Sequence, residues 1–133
     1  MCISALVFVV NGVWGSIRDF HNYFAWVMVI GNGLVGFWAL AAHCNEKLRG
    51  WPLWLSVAVA QITVLAQAVL GAVLVSVEDL GPPEFHLLYG SAAVISVGII
   101  YGYRHQVESR KYLIYGLAGF FLMGLGVRAM LID

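Results

Sequence analysis

Charge is what this chain has least of. Only 11% of its 133 residues are Asp, Glu, Lys or Arg, against 62% hydrophobic, and the mean hydropathy is +0.88. A soluble domain of this length needs a largely polar surface, so a water-exposed globular fold is excluded. Charge is missing from the middle of every long apolar run, where the polar residues are Asn32, Gln61, Thr63, Gln67, Ser91 and Ser96. Ion-coupled transporters and proton pumps need an ionisable group at that depth, which disfavours a carrier. With a formal net charge of +0 and no basic stripe, nothing points to a nucleic-acid partner. Cysteine is scarce too: Cys2 and Cys44 stand alone, without a C-x-x-C spacing, which argues against a disulfide oxidoreductase and for small apolar residues. Proline occurs only at 52, 82 and 83, at the starts of apolar runs, where its missing N–H costs nothing.

What is present is long apolar segments. Four stretches reach the roughly 20 residues of a bilayer-spanning helix: 20–43, 52–76, 84–103 and 111–131. Their connections are short, so consecutive helices are expected as antiparallel neighbours in a single domain covering 1–133. The expected fold class is an all-α, polytopic membrane helix bundle. A further apolar run, 2–16, is about 22 Å long as a helix, short of the roughly 30 Å hydrocarbon core. It is expected as a possible short or tilted N-terminal helix. It does not read as a signal peptide, having no Lys or Arg before it and no small-x-small site after it. Tryptophan and tyrosine concentrate near the span ends, as an interfacial belt requires.

Basic residues set an expected orientation. Lys47, Arg49, Arg104, Arg110 and Lys111 fall in the connections after the first and third spans, while the other side holds Arg18 and Arg128 among Asp19, Glu78, Asp79, Glu84 and Asp133. The positive-inside bias makes loops 44–51 and 104–111 cytoplasmic, in a membrane expected to be the bacterial plasma membrane. His21 and His86 then open their spans at the outer surface.

Residues 31–36, GNGLVG, match G-x-G-x-x-G literally, but they lie in mid-span with no strand before them, so no dinucleotide site is implied. These glycines, with Gly116, Gly119, Gly124 and Gly126, are expected to let helices pack closely.

The four histidines are the residues most able to carry chemistry. At about 100° per residue, Met28, Asn32 and Ala39 return to the face of His21, and Ala93, Val97 and Arg104 to that of His86, with Gly90 about 40° away. Ala25 below His21, and Gly90 with Ala93 below His86, leave room for a flat macrocycle between two imidazole ligands. His43 and His105 could form a second pair at the other end, but His105 lies about 100° off the His86 face, so one haem is expected rather than two. The bland reading is that histidine is comfortable at a membrane interface.

The run QAVLGAVLVS at 67–76, a Pro-containing loop and then FHLLYG at 85–90 resemble one half-bundle of the haem A synthase family, with its Gln-x-x-Leu-Gly helix followed by a helix that opens on a haem-ligating His. The segment RDFHNYFAWVMVIGNGLVG resembles that family's other His-bearing helix. The resemblance covers about residues 18–100 and implies His21 and His86 as axial ligands, with Asp19 near the family's acidic position. The chain departs from the family in lacking a second half and in carrying Asn22 where an Arg follows the first His.

The reading expected from the sequence is therefore a membrane bundle binding one haem b near the outer leaflet through the metal ligands His21 and His86, lined by Met28, Gly90 and Ala93. Arg18, Asp19 and Arg128 are candidates for the propionates, against the alternative of solvated headgroup contacts. Its role would be electron transfer, or that of an accessory subunit of a respiratory complex, with no enzymatic activity assigned to it alone. The alternative is a cofactor-free structural subunit. In either case the partners are the lipid bilayer and other membrane subunits or further copies of the chain.

Overall fold

A computed structural model describes residues 1–77, 81 and 83–132. They form four α-helices: α1 (Cys2–Cys44), α2 (Trp51–Val77), α3 (Glu84–Gly102) and α4 (Lys111–Leu131), with single 3-10 turns at Glu46–Leu48 and Glu108–Arg110. No strand occurs among the described residues. All four helices are long and apolar enough to cross a membrane. Glu78, Asp79 and Asp133 of the acidic side, and Pro82 before the third span, lie outside the described residues.

The run 2–16 makes no separate helix. It is the first third of α1, whose 43 residues extend about 65 Å, twice the hydrocarbon thickness. Nothing between the two apolar runs stops a helix: Ser16, Ile17, Arg18 and Asp19 are all compatible with one, and Gly12 and Gly15 each cost about 1 kcal/mol without breaking it. The far end of this extension is uncovered, with Ile3 79% and Phe8 80% exposed.

The firmest packing joins α1 to α4. A Cβ placed on Gly119 would stand 2.7 Å from the Gly36 Cα and 2.7 Å from the Asn32 carbonyl oxygen, and one on Gly36 would stand 2.9 Å from the Gly116 oxygen. Two backbones are thus almost in contact, which only glycine permits. In lipid, where the solvent is as apolar as the side chains, such close van der Waals contact is a main source of helix association. Gly126 accommodates Met28 and Val29, and Gly33 accommodates Met123. Gly31 and Gly124, expected to share this packing, face open space.

Polar side chains complete the joints. Asn32, 2% exposed, donates from Nδ2 to the Met28 oxygen (2.9 Å) in its own helix and to the Ala60 oxygen (3.1 Å) of α2. At the opposite end from His21, Arg49 closes α1 by donating to the Ala42 (2.8 Å) and His43 (3.1 Å) carbonyls, which no intrahelical N–H can reach. Trp38 donates to the Leu48 oxygen (3.0 Å), pinning the same turn.

Around the bundle α1 borders α4 and α2, and α3 borders α4 and, more lightly, α2. Helices α1 and α3 are therefore diagonal. Of the four, α3 buries the least of its length inside the bundle.

Candidate functional site

The diagonal placement brings His21 and His86 together. Their ring centres are 6.1 Å apart with planes inclined by 61°. His86 sits in the first turn of α3, and His21 lies midway along α1, so the N-terminal third of α1 projects beyond the level of the pair. Both side chains are partly buried.

The two imidazoles are contacted by different helices. His86 Nδ1 lies 3.1 Å from the Ala129 carbonyl oxygen of α4. A carbonyl only accepts, so Nδ1 carries the proton and, in the neutral ring, Nε2 carries the lone pair. Such a carbonyl contact is the arrangement that fixes the orientation of metal-binding histidines.

His21 is framed by α2. Gln67 Nε2 donates to the His21 backbone oxygen (2.8 Å) and lies 3.5 Å from His21 Nε2. That bond orients the amide and leaves Gln67 Oε1 buried, with no hydrogen-bond partner among the described residues. One turn further on, a Cβ on Gly71 would stand 3.3 Å from His21 Cε1, so glycine there allows the ring to lie against the α2 backbone. Gln67 and Gly71 are four apart and share a helix face.

Below the pair the two His-bearing faces converge. Met28 and Ala93, each 5% exposed, belong to one apolar cluster with Val29, Val64, Val97 and Leu122. Ala25 and Asn32 are also buried. Gly90 borders open space, as nothing lies within 4 Å of a Cβ built there. Arg18, one turn before His21, is exposed, and the Arg128 guanidinium lies 5.9 Å from the Tyr89 ring centre, near the same end.

His43 and His105 are both exposed, and no ring contact joins them among the described residues. No cluster of three or more His, Cys, Asp or Glu suited to a metal ion occurs among the described residues. A site built on His21 and His86 would have two protein ligands only.

Sequence reasoning placed both histidines but gave Gln67 no role at them. The signal was the Gln67–Gly71 spacing, which puts both on one face of α2. The Ala129 carbonyl is a backbone group, and no residue type announces it. Searches against protein-family models, characterised proteins and solved structures found no match.

Proposed function

We propose that the chain is a haem-binding membrane subunit in which His21 and His86 would hold one haem b. The observation that carries this reading is their 6.1 Å ring separation. Imidazoles this close could both reach one metal ion, since metal–imidazole bonds are about 2 Å long. The residues present fit the group in further ways. His86 offers Nε2 while Ala129 fixes its other nitrogen. Gly71 seats the His21 ring, and the space beside Gly90 is open. His21 ligation through Nε2 requires Gln67 to keep only its stronger bond, to the His21 carbonyl. Arg18 and Arg128 would supply positive charge near the mouth for propionates.

When bound, such a group supplies reversible one-electron chemistry. The chain's part would be to fix two imidazoles, to exclude water with the Met28–Ala93 cluster and to balance charge at the bundle end. This suits electron transfer or an accessory role in a respiratory complex, within the bacterial plasma membrane and with loops 44–51 and 104–111 on the cytoplasmic side. Reporters fused after Arg49 and after Ser109 should read as cytoplasmic, and one fused after Asp79 as external; the opposite pattern reverses the orientation.

The direct test is an absorbance spectrum of protein purified from its native membrane. A reducible b-type spectrum is expected. His21→Ala or His86→Ala should abolish or convert it, while His43→Ala and His105→Ala should leave it intact. A colourless protein defeats the reading. The second reading, a cofactor-free subunit docking onto larger partners or further copies, then takes its place; the uncovered N-terminal third of α1 favours it, since Ile3 and Phe8 need an apolar cover.

A further inference from the structure

At the end of the bundle opposite the histidine pair, a cleft of about 290 Å³ is lined by Trp54 of α2, Arg104, His105 and Glu108 of the α3–α4 connection, and Lys111 and Tyr115 of α4. Its cations are already ordered. Lys111 Nζ is held 2.8 Å from Glu108 Oε1 and lies 5.4 Å from the Trp54 ring centre. Arg104 donates from Nη1 to the Tyr101 oxygen (2.7 Å) and stacks 4.0 Å over the Tyr101 ring, with no carboxylate partner among the described residues. The Tyr115 hydroxyl makes no hydrogen bond among the described residues, though the ring packs on Trp54 at 5.2 Å. Arg49 reaches the neighbouring Tyr112 ring at 4.5 Å. The one carboxylate in the lining, Glu108, is engaged by Lys111, which leaves Arg104 as the uncompensated charge.

A second, apolar groove of about 330 Å³ runs along α3 and α4, lined by Ser96, Ile99, Ile100, Leu117 and Phe121 among others. It begins at Ile100, near the end of α3 and four residues before Arg104, and at Ile114 on α4, three residues after Lys111. A polar, cationic cleft at the helix ends, walled by Trp and Tyr, beside a greasy groove running toward the membrane interior has the two-part chemistry of a phospholipid.

We propose that Arg104, Lys111 and Tyr115 bind the phosphate of an anionic phospholipid and that an acyl chain lies in the α3–α4 groove. A free phosphate would use the cleft alone, so the groove decides for the lipid. Arg104 is the principal anchor, because its unused N–H donors can make charge-assisted hydrogen bonds to phosphate oxygens.

Purified protein in neutral detergent, titrated with phosphatidylglycerol and separately with phosphatidylcholine and followed by native mass spectrometry, tests this. Phosphatidylglycerol should bind preferentially. Arg104→Gln should weaken it about tenfold, the worth of one charged hydrogen bond, and Lys111→Gln should weaken it less, since Glu108 compensates part of that charge. Leu117→Trp, which fills the groove and leaves the cations intact, should weaken phosphatidylglycerol binding while circular dichroism stays helical. Equal binding of the two lipids, or an unchanged affinity in Arg104→Gln, overturns the site. Displacement of phosphatidylglycerol by an equimolar amount of inorganic phosphate, or Leu117→Trp binding like the wild type, overturns the assignment to a lipid.

Discussion

Along the joint between α1 and α4, Gly36 and Gly119 bring two backbones nearly into contact, and Met28, Val29 and Leu122 fill what remains. On the α3 side the arrangement is the reverse. Large side chains such as Phe85, Leu88, Ile95 and Ile99 point away from the bundle, and Gly90 and Gly98 border open space. One pair of helices thus supplies rigidity, while the other leaves room. The histidine pair lies where the two meet: His21 belongs to the tightly packed α1, and His86 to the loosely packed α3, tethered by Ala129 of α4. The proposed haem site would draw on this asymmetry, since four equally tight joints would close over a flat ligand.

The largest effect should come from breaking the tight joint. Gly119→Leu would force a side chain into the Gly36 backbone, which cannot retreat without separating α1 from α4. A loss of about 3 kcal/mol, the upper part of the overpacking range, is expected. Thermal unfolding in detergent reads it, and a variant as stable as the wild type would remove the distinction between the two sides. Asn32 is next. Asn32→Leu deletes the buried bond from α1 to the Ala60 carbonyl of α2 and should cost about 1 kcal/mol, as interhelical hydrogen bonds in membranes do. Helix α2 should then exchange its amide hydrogens faster while α4 is unaffected; equal acceleration in both would mean that the bundle opens as one unit.

The tight side of this comparison was largely legible from residue types. The four apolar stretches, the small-residue role of Gly33, Gly36, Gly116, Gly119 and Gly126, and the shared face of His21, Met28, Asn32 and Ala39 follow from length and helical period, because both are local properties of the chain. The continuity of α1 was not legible, since a 15-residue apolar run reads as a unit of its own when membrane thickness is the ruler, whereas helix continuity depends only on the absence of a breaker between 16 and 20. Nor was the openness around Gly90, Gly98 and Gly124. Glycine looks alike in sequence whether a neighbouring helix or lipid faces it, and only the three-dimensional partner decides. For the candidate site, the diagonal meeting of α1 and α3 was foreseeable from antiparallel connectivity, but the support from Gln67 and from the Ala129 carbonyl is tertiary.

A smaller effect is expected where the two regions share the site. Gln67→Leu keeps the volume in α2 but removes the 2.8 Å donor to the His21 carbonyl. That bond should be worth about 0.6 kcal/mol. The change also strips the buried Oε1 from beside the imidazole, so in pigmented protein the midpoint potential should shift while the spectrum persists. A potential identical to wild type would confine Gln67 to packing.

The smallest change in stability should come from Gly90→Leu, and for that reason it is the sharpest test of the loose side. No atom lies within 4 Å of a Cβ at this position, so a leucine meets no backbone, and its better helix propensity offsets up to about 1 kcal/mol of any lost contact. Unfolding should match the wild type to within about 0.5 kcal/mol. Yet Gly90 lies one turn below His86, on the flank where the open space is. If that space accommodates the macrocycle, the isobutyl group competes with it directly, and the protein should be stable, helical and colourless. Any loss of colour in Gly119→Leu would come with a large loss of stability, so the pair of variants separates loss of room from loss of structure. Wild-type stability together with a wild-type spectrum in Gly90→Leu would show that the open face at α3 belongs to lipid and that a ligand between His21 and His86 lies elsewhere. Reduced stability would show instead that a partner or a second copy packs on Gly90 in the membrane, where the single chain leaves it bare.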